Sequence, residues 1–159
     1  MAPTPPLIIA VNARNIIECR RLIETGGANV NGDRDKYGNT ALHLASYWGR
    51  IDIVRLLLTE GADITIAAND GMTALHLASR NGHLDIVRLL LTEGADITIA
   101  DSDGMTALHR ASMYGNIDVA NCLRKWPCTM ATIALQELAL YYQLDASTII
   151  DLWQYLKEE

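Results

Sequence analysis

Three of the four histidines, His43, His76 and His109, close the same tetrapeptide, TALH, at intervals of 33 residues. Histidine supplies zinc ligands and general bases, so an evenly spaced trio is the first place to look for chemistry. A second is DSDG, Asp101 to Gly104, which begins like a calcium loop. The glutamate needed at the twelfth place of such a loop is Ser112, so calcium is not expected. The three cysteines, Cys19, Cys122 and Cys128, are odd in number, without paired spacing and without a local histidine. They are expected as packed, reduced thiols in a cytoplasmic or nuclear protein. No GxSxG, HExxH, Walker loop or GxGxxG occurs anywhere in the chain.

What positions the histidines is a duplication. The run DIVRLLLTEGADITIA stands at Asp52 to Ala67 and again, unchanged, at Asp85 to Ala100. A 16-residue identity at an offset of 33 marks a repeated unit rather than a shared helix propensity. Residues 35–67 and 68–100 differ only at 35, 36, 37, 39, 47, 48, 50 and 51 of the first copy, and a third copy opens at Asp101. Each unit reads as a turn, a short helix and a second helix. Gly38, Gly71 and Gly104 punctuate the turn, and Thr40, Thr73 and Thr106 are expected to cap the first helix. Gly49, Gly82 and Gly115 end it. Small residues at Ala41, Ala45 and Ser46 allow a neighbour to approach closely. The second helix, IDIVRLLLTE, begins with an acidic residue at its positive end and stops at Gly61, the left-handed cap. It is apolar on too many sides for a lone surface helix, so it needs both its own partner and the next unit to cover it.

These residues resemble the ankyrin repeat, a 33-residue turn-helix-helix unit with the pattern D-x-x-G-x-T-P-L-H-x-A and a later G-A-D-V-N. Gly38, Thr40, Leu42, His43, Ala45 and Gly61-Ala62-Asp63 carry the match, as do the corresponding residues of the later copies. Alanine (Ala41, Ala74, Ala107) takes the proline place. Thr65 and Thr98 take the usual asparagine place, which is kept only at Asn31, so asparagine hydroxylation as known in the family would rest on Asn31 alone. The resemblance implies an all-α ankyrin-repeat solenoid, and in it the TALH histidine hydrogen-bonds the threonine and backbone near the turn. It covers about residues 7–125. Stacked units lie about a helix width, ~10 Å, apart, whereas zinc sits about 2 Å from each nitrogen. The three histidines therefore cannot share one ion.

The expected organisation is a degenerate N-terminal capping repeat over 1–34, full repeats over 35–67 and 68–100, and a truncated repeat over 101–128. In the first, two short helices break near Asn12 to Asn15 and stop at Gly26-Gly27, with Gly27-Ala28-Asn29-Val30 matched to Gly61-Ala62-Asp63-Ile64. In the last, Pro127 stands where the earlier units have Gly61 and Gly94, and proline cannot make the left-handed turn. Beyond it, 129–159 reads as a C-terminal helical pair, either a cap over the solenoid end or a docking segment that recruits a ubiquitin-ligase subunit or other machinery.

Thirteen basic and 19 acidic residues leave a net charge of −6, with no basic stripe for a nucleic-acid backbone. The longest apolar runs fall short of a membrane span, and no basic segment precedes Leu7, so neither a membrane anchor nor a secretory leader is expected. A non-catalytic module without cofactor or metal, acting as a monomer on a protein partner, is the reading that remains. Where scaffold positions stay identical after duplication, those facing solvent or a partner drift. Most differences fall at the turn tip and the end of the first helix, which are also where the resembled family contacts its targets. The candidate protein-binding residues are therefore Lys36, Tyr37, Asn39, Tyr47 and Trp48 in the first copy; Asn69, Asp70, Met72, Arg80 and Asn81 in the second; Ser102, Asp103, Met105, Met113 and Tyr114 in the third. Tyr37, Tyr47, Trp48, Arg80 and Tyr114 are the expected anchors, because Trp, Tyr and Arg dominate binding hot spots. Trp48 and Tyr114 could equally pack on the neighbouring first helix. His83, following Gly82, is expected at the surface.

Overall fold

Left-handed glycines punctuate the whole architecture, as the sequence pattern requires. A computed structural model describes residues 3–126. They form α1 (Pro6–Asn12), α2 (Ile16–Glu24), α3 (Ala41–Tyr47), α4 (Ile51–Thr59), α5 (Ala74–Arg80), α6 (Leu84–Thr92) and α7 (Ala107–Met113), followed by α8 over 117–126. The two copies of the repeat adopt the same conformation, with α3 and α5 each seven residues long and α4 and α6 each nine. Glycines at positive φ stop them: Gly49 (69°) and Gly82 (76°) after the first helix, Gly61 (81°) and Gly94 (92°) after the second.

The helices stack in two layers. In the inner layer α1 packs on α3, α3 on α5 and α5 on α7; in the outer layer α2 meets α4 and α4 meets α6. The inner helices α1, α3 and α5 also pack on the outer helices of their own units, α2, α4 and α6. The core runs between the layers through Leu7, Ile8 and Val11, then Leu42, Ala45, Ile53 and Leu57, then Leu75, Ala78, Ile86 and Leu90, all buried. Ala45 and Ala78 are completely enclosed, which is why small residues recur there: a larger side chain would force the inner helices apart. The core is thus continuous from unit to unit, and no unit closes it alone.

The turns are also stitched together. The Asn69 N–H donates to the Tyr37 carbonyl (3.0 Å) and the Ser102 N–H to that of Asp70 (2.9 Å). At Gly71, φ is +78° and a β-carbon would lie 2.7 Å from the Ser102 nitrogen, so both conformation and space demand glycine. Asn31 bridges the first two units lower down, donating to the Gly61 carbonyl and accepting from the Asp63 N–H. Where threonine replaces it, Thr65 and Thr98 turn inward onto Asp63 and Asp96 of their own loops.

Two expectations need correction. The first unit does not run in a single register. Its left-handed glycine is Gly26 (φ 70°), not Gly27, so its helices match the next unit at an offset of 35. Its loop returns to 34 by Asn29, whose carboxamide holds the Asn31 N–H as the Asp63 carboxylate holds that of Thr65. One extra residue near Ala28 absorbs the difference. His83 is likewise not a free surface residue. It is half-buried, its Nε2 3.0 Å from the Tyr47 carbonyl at the end of α3, with its ring against Gly49. Asn116 repeats the arrangement one unit on, donating to the carbonyls of Ser79 and Arg80. His83 and Asn116 thus each close the C-terminus of the inner helix before them, satisfying carbonyls that would otherwise be orphaned.

The expected helical pair over 129–159, its cap and docking alternatives, and Pro127 and Cys128 lie outside the described residues. Among the described residues no helix is long and apolar enough to cross a membrane.

Candidate binding surface

The TALH histidines are structural relays. The Thr40 N–H and hydroxyl both reach Nδ1 of His43, at 3.2 and 2.7 Å, and Nε2 of His43 lies 3.1 Å from the Met72 carbonyl of the next unit. A backbone N–H can only donate, so Nδ1 accepts and Nε2 must carry the proton given to Met72. His76 repeats the pattern on Thr73 and Met105, and His109 its threonine half on Thr106. Burial, ahead of the opposing pull of the carbonyl hydrogen bond, holds the His43 and His76 pKa values below the ordinary histidine range. Both imidazoles are buried and fully engaged, the reverse of an available base or ligand.

The other candidate chemistry is similarly committed. Arg110, where earlier units have Leu44 and Leu77, donates from Nε to Asp101 (2.6 Å) and from an amino group to Asp103 (2.7 Å). The carboxylates that resembled the start of a calcium loop thus already hold a cation. Burial pushes the Asp101 carboxyl up, but Arg110 and the N–H groups of Met105 and Asp103 hold it below its usual value. Cys19 is fully enclosed in α2, and burial pushes its thiol up to about 11, away from nucleophilic use.

The inner face carries a groove instead, about 470 Å³ in volume, between the turn tips and α3 and α5. Leu44 and Leu77 line it from the helices, together with the rings of Tyr37, Tyr47 and Trp48. Asn12, Asn39 and Asn69 add amides, and Asp35, Asp70 and Arg80 add charge. Tyr47 and Trp48 meet edge to face, 4.7 Å between ring centres. The Trp48 indole N–H donates to Asn12 at the end of α1. A second hollow, toward Pro3, Pro5 and Ile8, shares Asn12, Asp35 and Tyr37 with it.

Seven of the fifteen sequence-predicted residues come together there: Tyr37, Asn39, Tyr47, Trp48, Asn69, Asp70 and Arg80. Trp48 stays 51 % exposed, Tyr37 60 % and Tyr114 49 %, so neither Trp48 nor Tyr114 is packed away against a neighbouring helix. Arg80 extends the face to the third unit, its guanidinium 4.9 Å from the Tyr114 ring centre, and Lys36 stands 4.8 Å from that of Tyr37. Ser102 and Met113 are exposed outside the groove lining. Met105 is half-buried beside the relay of His76. Asn81 turns its amide back on the Leu77 carbonyl, closing α5, and Asp103 is held by Arg110. Met72 is a correction: its side chain is 5 % exposed, because that turn position is folded under against the histidine relay.

Four lining residues lay outside the candidate set. Leu44 and Leu77 are identical between the copies, so a search for drifted positions passes over them; Arg110 in the third copy was the available signal. Asp35 differs from Ala68 but stands at the base of the turn, where it accepts the N–H groups of Tyr37 and Asn39. Asn12 ends the first inner helix in a unit without TALH, which concealed its equivalence to Tyr47.

With this geometry in view, likeness to known proteins points one way. A family model of ankyrin repeats, three copies long, matches residues 3–68 and 65–131. The 2-5A-dependent ribonuclease of Mus musculus is 46% identical over 57 residues, 36% of this chain and 8% of that protein. An ankyrin repeat protein of fowlpox virus is 57% identical over 44 residues, 27% of this chain and 8% of its own length. Ankyrin repeat domain-containing protein 49 of Bos taurus is 38% identical over 63 residues, 39% of this chain and 26% of that protein. The aligned stretches are thus a small part of each of these relatives.

Proposed function

The chain belongs to the ankyrin repeat family, and from that membership we propose that it is a non-catalytic module that holds a protein partner in the groove of its inner face. Ankyrin repeats generally mediate protein–protein interaction, and the family is generally non-catalytic. One observation carries the reading for this chain. After duplication the residues packed between the two layers, such as Leu42, Ala45, Ile53 and Leu57 and their counterparts Leu75, Ala78, Ile86 and Leu90, stayed identical and buried, while Tyr37, Tyr47, Trp48, Asp70 and Arg80 diverged and now line one groove. Exposed aromatics beside an arginine are the composition of an interface centre rather than of an ordinary solvated face. The proposal includes a monomeric protein in a thiol-reducing compartment, the cytoplasm or nucleus.

The test is a double substitution. Trp48→Ala with Tyr114→Ala is expected to abolish capture of the partner in a proximity-labelling or pull-down comparison with the wild type. The thermal unfolding midpoint should move by no more than about 2 °C, since both side chains are half exposed. Loss of binding together with a collapse in stability would instead make them core residues.

A further inference from the structure

Two rings on the inner face already hold a cation. Lys36 Nζ lies 4.8 Å from the centre of the Tyr37 ring and the Arg80 guanidinium carbon 4.9 Å from that of Tyr114. Both are inside the roughly 6 Å at which the negative face of an aromatic ring attracts positive charge. The edge-to-face pair of Tyr47 and Trp48 lines the same groove and carries no cation among the described residues.

A carboxylate is available beside it. Asp35 has both oxygens occupied, one by the N–H groups of Tyr37 and Asn39 and the other by the Asn39 amide. Asp70 is exposed; one oxygen caps the Met72 N–H at 3.1 Å, and the other has no hydrogen-bond partner among the described residues. The groove's own cation, Arg80, is drawn onto Tyr114. With a chain charge of −6 behind it, the open part of the groove is complementary to positive charge.

Resting on the inner-face reading and narrowing it, we infer that the groove selects an extended segment of the partner bearing a basic side chain. Its cation lies against the Tyr47–Trp48 pair with Asp70 as counter-charge. Arginine suits the site better than lysine, because its planar and weakly hydrated guanidinium stacks on a ring while still donating to a carboxylate. An acidic segment meets Asp70 unfavourably. An aliphatic one fills the space but leaves Asp70 with nothing to bind.

The experiment uses three glycine-serine peptides of equal length, carrying one arginine, one citrulline or one glutamate. Each is titrated into the full-length, isotope-labelled protein while backbone and indole N–H resonances are followed. The arginine peptide should shift the Asp70 amide and the Trp48 indole, and bind about tenfold more tightly than citrulline, which keeps the plane but not the charge. Asp70→Asn keeps the oxygen that caps Met72, so it should shrink that tenfold difference to the part the ring pair alone supplies, at an unchanged unfolding midpoint. Equal binding of arginine and citrulline, preference for glutamate, shifts confined to other surfaces, or no shift at millimolar peptide would each overturn the inference. If it fails while Trp48 and Tyr114 remain necessary for partner capture, the inner face still binds a protein and only its charge preference is wrong. If partner capture also survives the double substitution, the inner-face reading falls as well.

Discussion

At the scale of single residues, the relay histidines show how a residue suited to chemistry is spent on structure. Nδ1 of His43 and of His76 accepts a backbone N–H, so protonation would set two donors against each other in a buried site. Both folded pKa values are lowered, chiefly by burial. The unfolded chain therefore takes up these protons first, and the stability they contribute is complete above the unfolded value of about 6.5 and is lost as pH falls below it. The urea midpoint should accordingly drop between pH 7.5 and pH 5.5, with a slope of at most about 1.4 kcal/mol per pH unit for each histidine. A His76→Gln variant should show a shallower slope; an unchanged slope would place the titration elsewhere. Arg14 departs from pattern in the opposite sense, holding φ 55° where the later units have glycine. Arg14→Gly should raise stability by about 1 kcal/mol in the same assay, since the left-handed conformation is free only to glycine. The capping threonines and relay histidines were legible in the sequence because they repeat at a fixed interval. Met72 was not, because variation between two copies marks a place as tolerant of change without saying whether it faces out or in.

At the scale of elements, the glycines separate two demands that sequence alone merges. Gly71 and Gly94 both adopt positive φ, 78° and 92°. A β-carbon at Gly94 would meet nothing within 4 Å, whereas at Gly71 it would collide with the backbone of the next turn. Gly94→Ala should thus cost about 1–2 kcal/mol for conformation alone. Gly71→Ala should cost at least about 1 kcal/mol more, because the stitch between Ser102 and Asp70 must open. Chemical denaturation of both variants measures the difference, and equal costs would mean the turns are not tightly coupled. Helix order and stops were readable from apolar spacing and glycine placement, although the first helix of each unit, expected at about nine residues, is seven residues long. The register of the first unit was not: an insertion near Ala28 changes the offset between helix and loop, and a single-offset alignment cannot represent that. The clasp made by His83 and Asn116 was hidden for a related reason. His83 and Asn116 share a position but not a side-chain type, so nothing in composition identifies their common task of closing the previous inner helix.

At the scale of the whole molecule, a row of units that bury one another should be strongest where both neighbours are present, and one residue type at one register can test it. Leu42 and Leu75 stand second in their inner helices and are each 2 % exposed, between an inner helix on either side. Leu108 holds the same position in α7 and is only half-buried. His109 beside it is exposed, whereas His43 and His76 are buried under the next turn. Truncation to alanine should therefore cost about 3 kcal/mol at Leu42 and at Leu75, where the surroundings cannot collapse into the space left behind. The same change at Leu108 should cost about 1 kcal/mol, in proportion to the smaller area it removes from water. Urea unfolding measures the three costs, and amide hydrogen exchange locates them. Leu75→Ala should weaken protection across α3 to α6, because a lesion in a central unit damages the interfaces on both sides, while Leu108→Ala should loosen α7 and leave α3 and α4 protected. Equal costs at the three sites would show that α7 is covered as completely as α3 and α5. The groove lies between the turn tips, α3 and α5, within the part of the array expected to open least. A recognition surface placed there keeps its rings and carboxylate in position before a partner arrives, so less of the binding energy goes into ordering them.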